Sequence, residues 1–196
     1  MGSLRRNVEE MGFSGLLFDT LFGLILFFNI DSILEINNTF HLIFYVFTIL
    51  IVVHWWLIFK SADDTYGNEV RNSIVDVVFG LVYIFFIMLV VLHTKKFNLF
   101  YTTLFLTLLF LVDIVWSVTW KHGGKWKVKD KAKIRIMEND LKTNIKLDVT
   151  FFILFMILCF ASSMIDQVIL IFLIIVTYVA YIYATIKTKI ISFNYF

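Results

Sequence analysis

Asp19, Asp76, Asp113 and His54 are the side chains of this sequence that chemistry singles out, because each interrupts a run of hydrocarbon residues. An ionised Asp in the hydrocarbon core of a bilayer costs about 2.5–3.5 kcal/mol even on the lenient insertion scale, so such a residue faces a partner, a cavity or a path. Imidazole titrates near neutrality and can pair with a carboxylate, relay a proton or ligate a metal. Asp19 and Asp113 most need a functional account. Asp76 sits nearer the start of its apolar run. Asp148, at the edge of another run, reads as a residue in water that complements the N-terminal end of a helix dipole.

Structural alternatives stand beside each of these readings. A lone membrane His is more often a hydrogen-bonded packing residue, and buried Ser, Thr and Tyr tie helices together for about 0.6 kcal/mol apiece. The sequence holds no HxxxH, HExxH or CxxC spacing, no glycine-rich phosphate loop and no nucleophile elbow. A metal site therefore rests only on spatial clustering of His54 with the acids, its metal is unknown, and no cofactor is implied. The single cysteine, Cys159, lies in an apolar run and reads as a small buried hydrophobe.

The elements that hold these residues follow from composition. Of 196 residues, 60% are hydrophobic and only 16% charged, with a mean hydropathy of +0.88. A soluble domain is closer to 45–50% apolar and about 25% charged. This chain lacks the polar surface to cover a water-facing globule, which makes it a polytopic membrane protein. The expected fold is an all-α bundle of six transmembrane helices over residues 12–30, 40–59, 73–92, 98–120, 147–165 and 167–186, each about 20 residues long. The cationic start before the first run resembles a signal peptide, but no small-x-small cleavage site follows, so that run reads as a retained helix.

The runs pair into three hairpins, 12–59, 73–120 and 147–186. The first two open on Asp19-Thr20-Leu21-Phe22-Gly23-Leu24 and Asp76-Val77-Val78-Phe79-Gly80-Leu81, with a fainter copy at Asp148-Val149-Thr150-Phe151. A pseudo-repeat of one two-helix unit is the expectation. Within helices, polar residues fall on seams: Thr103, Thr107, Asp113 and Ser117 on the fourth, Tyr178, Tyr181 and Thr185 on the sixth.

Basic residues set the orientation. With both termini in the cytoplasm, 15 of the 17 Lys and Arg fall inside, and only Lys95 and Lys96 outside. The loop 121–146 carries most of them. Lys125, Lys127, Lys129, Lys131, Lys133 and Arg135 offer a surface for anionic lipid, at about 1 kcal/mol per cation, or for a cytoplasmic protein partner. Its alternation fits a strand, and from Ala132 onward a short amphipathic helix fits equally well. Nothing in this pattern argues for nucleic acid. Wide apolar faces suggest a homo-oligomer with membrane lipids around it.

Leu17-Phe18-Asp19-Thr20-Leu21-Phe22-Gly23-Leu24 resembles the Phe-Ser-Asp-x-x-Phe-Ala-Ile with which the first helix of a six-helix bacterial potassium-channel family opens. Phe18 stands where that family has Ser, and His54-Trp55 near the end of the second run is a looser parallel. The resemblance ends there, and it implies ion conduction. The leading expectation is a channel or transporter, with Asp19, Asp76 and Asp113 lining an inner vestibule that concentrates a cation or proton and His54 modulating it. The alternatives are a membrane enzyme acting on a lipid or isoprenoid, with a carboxylate and His54 as acid and base, and a non-catalytic subunit governed through the basic loop.

Overall fold

The computed structural model describes residues 13–30, 33, 36, 38–70, 74–123 and 131–188. They form six helices: α1 (Phe13–Ile30), α2 (Thr39–Val70), α3 (Ile74–Lys95), α4 (Leu99–Gly123), α5 (Lys131–Ala161) and α6 (Gln167–Lys187). Proline is absent from the chain, so no helix meets the residue that would break it. Five apolar spans, Thr39–Lys60, Val77–Lys95, Leu99–Thr119, Glu138–Ala161 and Gln167–Lys187, are long enough to cross a bilayer. In α1 the apolar stretch among described residues runs only from Leu17 to Phe27. Five such helices suggest a multi-pass integral membrane protein; the sequence had promised six spans.

The outside of the bundle supports that reading. Phe27, Phe85, Phe160, Phe172 and Tyr183 are exposed, while Thr48, His54, Asp113, Ser117, Asp148 and Thr185 are buried. A water-soluble bundle distributes these types the other way round. Buried seams advance by three and four residues: Phe44, Phe47, Ile51, His54 and Ile58 on α2, Thr103, Leu106, Phe110, Asp113 and Ser117 on α4, and Ile171, Ile174, Tyr178, Tyr181 and Thr185 on α6. On α5 the same rhythm runs Leu141, Asp148, Phe151, Phe155 and Leu158, with half-buried Asn144 in register. That spacing keeps one face turned to a neighbour along the whole helix.

Two of the expectations change here. The helix reading wins for the second half of the basic loop, because α5 starts at Lys131 and runs unbroken into the apolar span. Asp148 therefore lies deep inside a helix and not at its first turn, which removes the dipole explanation. Second, α4 packs most extensively on α5, followed by α3 on α4. The tightest pair thus joins two different expected hairpins, across the longest loop.

The polar ends are capped with defined hydrogen bonds. The α3–α4 corner closes with Asn98 N–H on His93 O (2.8 Å) and Phe97 N–H on Thr94 O (2.9 Å), a Schellman arrangement. Phe97 occupies the left-handed position, φ 53°, where a non-glycine residue costs roughly 1–2 kcal/mol; its ring lies 4.7 Å from that of His41. Asp166 caps α6 by accepting from Val168 N–H at 2.9 Å.

Candidate functional site

The buried seams of α2, α4, α5 and α6 each bring a polar side chain to the same level. On α4 that residue is Asp113, one turn before Ser117; on α5 it is Asp148, one turn after Asn144. The helices run antiparallel, so the two acids meet. Their carboxyl groups lie beside each other, with the Asn144 amide alongside Asp113. Asn144 Nδ2 also donates to Ser117 Oγ at 3.3 Å. From α6, the Tyr181 hydroxyl donates to Asp148 Oδ1 at 3.1 Å. The second oxygen of each acid, Asp113 Oδ2 and Asp148 Oδ2, is buried and accepts no hydrogen bond. Neither acid has a cationic partner among the described residues.

Aromatic rings wall this pair in. Phe110, one turn above Asp113, stacks on Phe155 (5.4 Å) and Phe151 (6.3 Å) and meets the Tyr181 ring edge-on at 4.8 Å. Trp55 of α2 packs against Phe110, Tyr83 and Tyr181 at 5.4, 5.0 and 5.6 Å. Toward the start of α4 lie these rings and Leu106, all buried. Toward its end they face Ser117 and the half-buried Asn144. Among the described residues, the polar neighbours Ser117 and Asn144 thus lie toward the end of α4.

His54 packs on the far side of Tyr181, their rings 5.5 Å apart, and is engaged elsewhere. Its Nδ1 contacts the Tyr178 hydroxyl at 3.0 Å and its Nε2 the Thr185 hydroxyl at 3.1 Å. Thr185 Oγ1 donates its own proton to Ile182 O at 2.7 Å, so it accepts from His54 Nε2–H, and Nδ1 accepts from Tyr178. A neutral imidazole satisfies all of these contacts. His54 thereby cross-links α2 to α6.

Asp19 belongs to another group. Both its oxygens are partnered, Oδ1 by Trp56 Nε1 and Oδ2 by Lys60 Nζ, each at 2.8 Å. Lys60 lies roughly 9 Å further along α2 than His54, and the ion pair is about a quarter exposed on either side (26% and 27%). Asp76 lies in the first turn of α3, with its side chain outside the described residues. So do Lys125, Lys127 and Lys129 altogether, and the side chains of Lys131 and Lys133; Arg135 is exposed on α5.

Of the expected vestibule, then, Asp113 and His54 lie in one polar layer and Asp19 in a second. Asp148 is the member that sequence reasoning set aside. Its signal was present in the spacing of Leu141, Asn144, Asp148, Phe151 and Phe155, which continues the buried seam across the supposed loop boundary. Two seam threonines do not tie helices together: Thr103 and Thr107 bond the carbonyls of Leu99 and Thr103 in their own helix at 2.7 and 2.8 Å. Others do: Thr185 through His54, and Thr48–Thr94–Thr102, linked across α2, α3 and α4 at 3.3 Å per step.

No family model, curated protein or solved structure matches the chain. The functional reading therefore stands on the side chains alone.

Proposed function

We propose that this protein is a membrane transport protein that carries a proton or another cation through the polar layer centred on Asp113 and Asp148. One observation carries the reading: two carboxyl groups lie side by side within apolar spans, deeply buried and without a cationic partner among the described residues. Two acids held this way would weaken a purely structural core, because removing charges from water costs several kcal/mol per ion. A protein that binds and releases positive charge gains a use for them.

The surroundings favour loading from one side. Ser117 and Asn144 lead from the acids to the end of the bundle where α4 finishes and α5 begins, and the rings of Phe110, Phe151 and Phe155 close the other direction. With the basic loop inside, that polar end is cytoplasmic, α1 is a sixth span, and Arg135 with its neighbouring cations lies on anionic headgroups. His54 and the Asp19–Lys60 pair hold α2 in place beside this route.

The test is flux. Purified protein in liposomes should dissipate an imposed proton or potassium gradient, and Asp113→Asn and Asp148→Asn should each abolish that. Wild-type vesicles as tight as both variants would dismiss a transport role.

A further inference from the structure

The polar layer narrows the choice of cation, and we infer that Asp113 and Asp148 form a one-proton site, the proton shared between Asp113 Oδ2 and Asp148 Oδ2. The inference rests on the transport reading for its purpose and on the geometry for its chemistry. Three buried oxygens of this layer lack hydrogen-bond partners, Asp113 Oδ2, Asp148 Oδ2 and Asn144 Oδ1, and the first two belong to neighbouring carboxyls, the only two of the three that can hold a proton. One proton between them supplies a donor to one and an acceptor to the other, and removes one of two charges from a site lined by rings. It also leaves Asp148 Oδ1 free to keep its bond from Tyr181.

A metal ion fits this place poorly. Sodium, potassium, magnesium or calcium need several oxygen lone pairs at once. Here Tyr181 presents its hydrogen to Asp148 and Asn144 presents Nδ2–H to Ser117, which leaves Asp113 Oδ2, Asp148 Oδ2 and Asn144 Oδ1 as the bare oxygens, fewer than the roughly six or more that calcium or magnesium gathers. Among the described residues no three or more His, Cys, Asp or Glu side chains stand together. A proton requires no coordination shell, only two oxygens.

The groups that face the pair can be named helix by helix. They are Tyr83 on α3, Ser117 on α4, Asn144 on α5 and Tyr181 on α6, with the Tyr178 ring 5.7 Å from that of Tyr181. From α2 come Trp55 and His54, whose rings lie 5.6 and 5.5 Å from that of Tyr181. None of these is a fixed cation, so the proton itself is the counter-charge. Within the pair, transfer moves the proton from Asp113 Oδ2 to Asp148 Oδ2 while the negative charge moves from Asp148 to Asp113, and the net charge stays at one. Exchange with solvent passes along Asn144 and Ser117, the polar side.

Infrared spectroscopy of the purified full-length chain tests this directly, because a protonated carboxyl has a C=O stretch distinct from that of a carboxylate. The wild type should show a band from a hydrogen-bonded protonated carboxyl. Asp113→Asn and Asp148→Asn should each remove it, since both acids hold the same proton. Tyr181→Phe should keep the band and shift it, which preserves the test if the Asn variants do not fold. Adding sodium or potassium chloride should leave it unchanged. A band that survives both Asn substitutions, fails to move in Tyr181→Phe, or is displaced by either salt overturns the one-proton site. The band without any flux would retain the site and dismiss the transport role; flux with no such band would do the reverse.

Discussion

The Phe18 ring of α1 fills the space that a side chain at position 80 of α3 would need. A methyl at Gly80 would fall inside that ring, whereas one at Gly23 would meet nothing within 4 Å. Phe18 cannot swing aside freely, being 2% exposed and in edge contact with Phe59 at 4.6 Å. Gly80→Ala should therefore cost about 1–3 kcal/mol as overpacking. Gly23→Ala should be neutral, or stabilising by up to about 1 kcal/mol through helix propensity. Unfolding in mixed micelles measures both, and equal effects would show that the two Asp-x-x-Phe-Gly-Leu copies are equivalent after all.

Tyr181→Phe removes the one donor to Asp148 Oδ1 without changing the ring contacts. Loss of a hydrogen bond to a buried carboxyl should cost about 1–3 kcal/mol. In an Asp148→Asn background the same change should cost less, because the charged acceptor is gone. A double-mutant cycle by reversible unfolding reads this coupling, and strictly additive effects would break the pairing.

His54→Ala should destabilise the bundle by roughly 2–4 kcal/mol, through the cavity it leaves and the two hydroxyls it strands. Tyr178→Phe should then add little in that background, since its hydrogen-bond acceptor has already gone. Measured by the same unfolding assay, a mild His54→Ala effect would separate this imidazole from the α2–α6 contact.

Lys60→Met should cost about 1 kcal/mol or less, because its ion pair with Asp19 is partly open to solvent. Asp19→Asn combined with Lys60→Met should cost no more than Lys60→Met alone, since each change ends the same interaction. An additive result would mean that Asp19 answers chiefly to Trp56.

Much of this architecture is legible in the sequence for a simple reason. A span must be long and apolar to cross a bilayer, so runs such as 98–120 and 167–186 announce α4 and α6 within a few residues. Seam periodicity likewise exposes Asp113, Ser117, Tyr181 and Thr185 as inward-facing. Partners are another matter. That Asp19 meets Lys60, or that His54 is divided between Tyr178 and Thr185, depends on how helices dock, which periodicity does not encode. Asp148 reads as a boundary residue because Lys131 to Lys146 are polar enough to look like a loop, although they are the helical lead-in to its span.

The dominance of the α4–α5 contact has a consequence for how the chain must be joined. Its two helices recognise each other through side chains on facing seams, Asp113 and Phe110 against Asp148, Phe151 and Phe155. Recognition of that kind does not require a covalent tether. A chain divided between Gly123 and Lys131, its halves produced together, should reassemble into one bundle and co-purify. The protein is then a four-helix piece and a two-helix piece held by the same surface that holds the acids, so the halves should part if that surface is disrupted.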